Sequence, residues 1–213
     1  RPGLSDYSVS IGALRENYGL RSNDYSDMLV SGTLRRGLSD NFTVEGRLDA
    51  TGDVQVASGA ATYSMTRLGV LSSALAVSNK QRTGALWQVG HQYQGREFRF
   101  DLRLQGTSKE FTQPGIDLPN AFPRIQSLVS AGTSVGGYGS LGMSFIDERF
   151  HNPDMDRKVV SLNYSRTLPS DLSLNVSGSY IKQDNSEMQA SLADEVFWRP
   201  PKRIHEYAAI RRL

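Results

Sequence analysis

The sequence predicts an all-β protein, an antiparallel β-barrel that crosses a membrane. Three observations carry that expectation. A hydrophobic period of two recurs along the chain, the periodic runs reach nine to eleven residues, and short turns alternate with longer polar links. Nine to eleven residues is enough to cross a hydrocarbon layer at a tilt of roughly 45°, whereas strands of water-soluble domains are usually about five or six residues long.

In chain order, strands fall near 6–15, 28–36, 42–50, 56–66, 70–78, 85–93, 97–107, 128–135, 139–147, 158–167 and 172–181. The third is the clearest. Phe42, Val44, Gly46, Leu48 and Ala50 alternate with Thr43, Glu45, Arg47 and Asp49, which gives one apolar and one charged face. In the seventh, Phe98, Phe100, Leu102 and Leu104 alternate with Arg99, Asp101, Arg103 and Gln105. In the last, Leu172, Leu174, Val176, Gly178 and Tyr180 alternate with Ser173, Asn175, Ser177 and Ser179.

Short turns are expected at 37–41, 67–69, 94–96, 136–138 and 168–171, and longer links at 16–27, 51–55, 79–84, 108–127 and 148–157. Tight turns at one end and longer loops at the other are the habit of outer-membrane barrels. Tyr7, Phe42, Tyr93, Phe98, Tyr138 and Tyr164 sit near strand ends, where an interfacial girdle belongs. An eleven-stranded count is odd, and an open edge is not tolerated in hydrocarbon. The chain is therefore expected to be part of a larger barrel.

The charged face decides what fills the interior. Arg35, Glu45, Arg47, Asp49, Arg99, Asp101 and Arg103 are the candidate pore-lining residues. Facing lipid, each charge costs roughly 2–4 kcal/mol at mid-bilayer. A dry core charges heavily for them unless they are paired. A water-filled lumen removes both problems, and Ser31, Thr33, Ser58, Thr62 and Ser72 share the face.

Composition narrows the alternatives. With 24 Lys+Arg against 22 Asp+Glu, the net charge of +2 gives no argument for nucleic acid. The absence of Cys excludes disulfides, thiolate metal sites and a cysteine nucleophile. No 18-residue apolar run offers a membrane-spanning helix. His91, His151 and His205 have no metal-type spacing, and Asp147, Glu148, His151 and Asp154 are expected to be solvated loop residues rather than a hydrolytic site. The run Gly132–Gly139 lacks the Lys-Ser/Thr of a phosphate loop and is expected to be a hairpin. The sequons at Asn163 and Asn175 fall inside strands. No catalytic residue, metal site or cofactor is expected. The link 108–127 reads equally as an external loop or as a segment reaching into the pore.

Five segments, in order, resemble the fimbrial outer-membrane ushers of the chaperone–usher pathway, most nearly the archaic type. Arg1–Arg15 (RPGLSDYSVSIGALR) resembles the strand that follows the usher plug, and Arg36–Gly46 (RGLSDNFTVEG) its G-L-[ST]-D-x-x-T-x-E-G-like turn and strand. Arg67–Ser72 (RLGVLS), Tyr138–Ser144 (YGSLGMS) and Ser161–Ser165 (SLNYS) continue the series, so that the resemblance covers residues 1–182.

The resemblance implies part of a 24-stranded pore in the outer membrane of a Gram-negative bacterium. Such a pore takes pilus subunits from a periplasmic chaperone, assembles them without nucleotide and secretes the fibre. The implied partners are pilus subunits, chaperone–subunit complexes, outer-membrane lipid and the remaining usher domains (plug, N-terminal and C-terminal). A general diffusion porin is the alternative, and a barrel hydrolase using the acids near His151 a third.

Residues 183–213 read as an atypical tail. From Ser191 (SLADEVFWRPPKRIH) neither alternation nor usher motif is evident, which leads to the expectation of a truncation or a frameshifted reading; Leu213 in place of a terminal aromatic suits a fragment.

Overall fold

The computed structural model describes residues 2–15, 20, 23–116, 121–168 and 172–183, together with the backbone of 186–198. Twelve strands form one sheet in strict sequence order, each antiparallel to the next. They are β1 (Ser5–Arg15), β2 (Tyr25–Gly37), β3 (Phe42–Ala50), β4 (Gln55–Met65), β5 (Gly69–Asn79), β6 (Thr83–Gln94), β7 (Phe98–Thr107), β8 (Ile125–Ser134), β9 (Ser140–Arg149), β10 (Arg157–Leu168), β11 (Leu172–Gln183) and β12 (Ser186–Trp198). The meander is not closed: β1 and β12 are its edges.

The eleven expected strands all form, and β12 is an addition. Register places Leu192, Val196 and Trp198 opposite Gly178, Leu174 and Leu172, but Asp194 falls opposite Val176 and interrupts the apolar alternation. That interruption hid the strand, and the count is twelve, so the odd-number argument for missing strands loses its premise. Residues 199–213, including His205, lie outside the described residues.

The connections also differ from expectation. At one end, 38–41, 66–68, 95–97 and 135–139 are tight: Leu38 N–H donates to Phe42 O at 2.9 Å, and Gly95 N–H to Phe98 O at 2.8 Å. In the Gly132–Gly139 run, a 3₁₀ turn over Gly136–Tyr138 with φ +48° at Gly136 and +102° at Gly139 makes the hairpin. These are backbone values that L side chains rarely adopt. At the other end 51–54 and 80–82 are equally tight, because β4, β5 and β6 run further than the alternation suggests. Only 16–24, 108–124 and 150–156 are long.

Cα partners in the ladder share a face, so the register sorts every side chain. One face carries Val9, Ile11, Leu34, Leu48, Leu75, Val89, Met143 and Leu162. It lies open: Ile11 is 69% exposed, Leu48 65% and Leu75 67%. Phe42 and Tyr63 (ring centroids 6.4 Å apart) and Tyr93 and Phe98 (6.3 Å) stand on this face, with Tyr7 and Tyr164, all at the tight-turn end. Five of the six aromatics expected near strand ends, all but Tyr138, therefore gather at that end of this face.

Among the described residues only Val54, Val56, Ala76 and Phe111 are buried hydrophobics. A twelve-stranded sheet with so small a core and an uncovered apolar face lacks the packing of a water-soluble sandwich.

Candidate functional site

The opposite, polar face is the candidate site. Ser31, Thr33 and Arg35 pair across β2–β3 with Asp49, Arg47 and Glu45, and these pair on β4 with Val56, Ser58 and Ala60. Following the ladder through β5 and β6 brings Arg99, Asp101 and Arg103 to the same face. All seven charged residues singled out in the sequence therefore share one face. The structure divides them into two groups, on β2–β3 and on β7, separated by three strands that present mainly Ala, Ser, Gly and Gln between them.

In the first group, Arg47 Nε donates to both carboxylate oxygens of Asp49, at 2.8 and 3.0 Å, and Ser31 Oγ donates to Asp49 Oδ1 at 2.5 Å. Arg47 and Asp49 are two residues apart on one strand, which puts them on the same face. Arg35 and Glu45 are direct cross-strand partners of opposite charge, an arrangement that favours the pairing. In the second group the Arg99 side chain lies across Gly132: a Cβ there would come within 2.6 Å of Arg99 Nε.

The described parts of the 108–124 connection, 108–116 and 121–124, fold onto the polar face. Phe111, 5% exposed, packs with Val54, Val56 and Ala76, and its ring meets Phe122 edge-on at 5.2 Å. Thr112 N–H donates to Ser78 Oγ at 3.0 Å, Ser108 N–H to Ala85 O at 2.9 Å, and Thr107 Oγ1 to Pro123 O at 2.7 Å. Gly84 permits this approach, since a Cβ there would overlap the Phe111 backbone. Further along, Gly115 comes within van der Waals reach of Leu14 on β1, where an added Cβ would lie 3.7 Å from Leu14 Cδ2. The connection thus spans the face from β7 to β1.

Beneath it lies a cavity of about 360 Å³ whose lining includes Arg47, Asp49, Ser58, Gln113 and Pro114. Two of the candidate charges, Arg47 and Asp49, sit at the edge of this strap. The sequence left open whether this segment is external or reaches inward, and Val56 and Ala76 interrupting a polar face are the signal that something covers it.

A third charged group was missed. Glu148, 8% exposed, accepts from Gln126 Nε2 at 2.6 Å and from Arg157 Nη2 and Nε at 2.6 and 2.9 Å. The sequence reading put 148–157 in a loop, but β9 continues to Arg149, and Asp147 and Glu148 consequently point to opposite faces. His151 Nε2–H donates to Thr107 O at 3.2 Å, and Asp156 accepts from Phe150 N–H at 2.7 Å. These contacts tie the 150–156 loop to the barrel end. His91 sits on the apolar face opposite Leu71 and Leu102, where its Nε2–H donates to Leu68 O at 2.7 Å.

No family model and no curated protein matches the sequence. Among solved structures, the fold matches the translocation pore of the P pilus usher PapC with a TM-score of 0.64 over 92% of this chain, at 15% identity. The match covers 46% of that pore's chain, so this chain spans about half its length. At that identity the likeness concerns the fold: the twelve strands form an antiparallel β-barrel wall of the kind found in a pilus usher pore.

Proposed function

We propose that the chain forms pore wall in a fimbrial usher, the outer-membrane channel that receives pilus subunits from a periplasmic chaperone, assembles them and secretes the fibre. The observation that carries this reading is the fit to a pilus usher pore by a sheet that is polar on one face and openly apolar on the other. In this reading the apolar face meets outer-membrane lipid, and the face bearing Arg35, Glu45, Arg47, Asp49, Arg99, Asp101 and Arg103 is a wetted lumen.

Folded subunits pass such a wall without sticking because it offers charges of both signs among small polar side chains. Among the described residues its apolar core is confined to the patch under Phe111 and Phe122. Assembly draws on exchange between subunits, so the wall contributes passage rather than bond chemistry, and the partners are pilus subunits, their chaperone complexes and the other usher domains.

The test is an in-frame deletion of the segment encoding these residues from its gene, scored for surface pili by electron microscopy, with the altered protein's level followed in outer membranes. Loss of pili while chaperone and subunits accumulate in the periplasm, with the shortened protein still present, supports the reading. Unaltered pili, with a change in small-solute permeability instead, contradicts it in favour of a diffusion porin.

A further inference from the structure

The outward, apolar face carries an isolated group of cations at one rim. Across β8 to β11 runs the row Val129, Phe145, Val160 and Tyr180, and on β9, β10 and β11 it is followed, toward the long-loop end, by Asp147, Lys158 and Lys182, with Arg149 one step beyond. Arg149, Lys158 and Lys182 are exposed. The corresponding positions of β3 to β6 hold Ala50, Gln55, Asn79 and Thr83, none of them charged.

Two features single out this group. Lys158 and Lys182 are direct Cα partners across β10–β11, and like charges placed directly opposite destabilise a ladder unless an anion lies between them. Among the described residues the one carboxylate nearby on the face is Asp147, the Cα partner of Lys158 on β9, and it is engaged by Arg149 at 3.1 Å. Among the described residues neither lysine has a carboxylate within ion-pair distance, and on this face Arg149, Lys158 and Lys182 stand against Asp147.

Height fixes the environment. On β10, Lys158 and Arg166 bracket Val160, Leu162 and Tyr164 on this face. Eight residues at ~3.4 Å each span about 27 Å along the strand, or about 21 Å after a tilt of roughly 40°. That is close to the ~25 Å apolar band of a membrane barrel. The lysines thus sit at headgroup level, directly above the apolar band.

We infer that Arg149, Lys158 and Lys182 bind the phosphate of a phosphorylated outer-leaflet glycolipid, the lipid A part of lipopolysaccharide, with Tyr180 lying against its acyl region. The inference rests on the outer-membrane reading proposed above, in which the long loops are external.

The test uses the protein that carries this chain, extracted from outer membranes in mild detergent, and measures affinity for lipid A. Each variant is first checked for heat-modifiable gel mobility, which reports a folded barrel. K158Q/K182Q is expected to bind lipid A roughly 30-fold more weakly than the unaltered protein, from about a sixfold loss for each cation near a charged lipid surface. K158R/K182R is expected to stay within about threefold, and dephosphorylated lipid A is expected to bind the unaltered protein as weakly as lipid A binds the glutamine pair.

Equal affinity of the glutamine pair and the unaltered protein, or equal affinity for dephosphorylated lipid, overturns the inference. Displacement of lipid A by inorganic phosphate at comparable concentration makes the site one for free anions and overturns the lipid assignment. Absence of the protein from outer membranes defeats the proposed function itself, a failure separate from that of this site.

Discussion

Replacing Phe111 with alanine should release the 108–124 strap from the polar face without unfolding the sheet. Phe111 is the strap's principal anchor, buried against Val54, Val56 and Ala76 with Phe122 packed on its edge. Truncating a buried phenylalanine costs about 3–5 kcal/mol. The strand ladders do not pass through this side chain, so the loss falls on docking of the strap. At about 1.4 kcal/mol per tenfold, even the lower figure raises the undocked population by roughly 100-fold.

Ser78, fully buried beneath the strap, reports that opening. The chain has no cysteine of its own, so S78C supplies a single thiol. The sulfur weakens the Thr112 hydrogen bond equally in S78C and S78C/F111A, and the comparison isolates the ring. Labelling by a small hydrophilic reagent should run about 100-fold faster in the double variant, with heat-modifiable mobility unchanged. Equal rates within about threefold would refute docking through Phe111.

Other consequences follow from single contacts. G106V should displace the Trp87 ring, which lies over Gly106 so closely that a Cβ there would overlap it; in a W198F background the remaining tryptophan emission should shift. Unchanged emission would contradict that packing. E148A removes the shared acceptor of Gln126 and Arg157 and should lower barrel stability by about 1–3 kcal/mol, read as the denaturant midpoint of heat-modifiable mobility. No measurable change would show that Glu148 is dispensable to the rim.

The last of these concerns pH. In the 51–54 turn, the hydrogen bond and charge of Lys80 hold the Asp53 carboxyl below its usual value. A depressed carboxyl pKa stabilises the folded state above the unfolded-state pKa of about 4, and the effect fades as pH falls through the folded-state value. The difference in thermal midpoint between the unaltered protein and D53N should therefore be constant from pH 8 to about 5 and shrink below about 4. A difference that persists at pH 2 would contradict this linkage.

Strand periodicity was legible wherever both faces kept their character. In β3 and β7 every apolar position alternates with a polar one, and both formed where expected, with all seven candidate charges on one face. β12 escaped notice because Asp194 breaks its alternation and only β11 pairs with it. The end of β9 was missed for a related reason: Glu148 and Arg149 read as a loop by composition, yet continue the ladder to Gln126 and Ile125.

The strap was invisible to local pattern because its anchor is tertiary. Phe111 meets residues of β4, β5 and β6 far away in sequence, and only the close approach at Gly84 marks the meeting. The rim cations were individually plain in the sequence. Their grouping depended on register, which sets Lys158 opposite Lys182.

The central claim is that the sheet separates water from lipid, and β3 tests it most directly. Single cysteines placed in turn at residues 43–49, in the protein as it sits in outer membranes, would be challenged with a hydrophilic and with a lipid-soluble thiol reagent. The account predicts strict alternation: positions 43, 45, 47 and 49 react with the hydrophilic reagent, and positions 44, 46 and 48 with the lipid-soluble one. The reverse pattern, or reaction of both sets with the hydrophilic reagent alone, would contradict it.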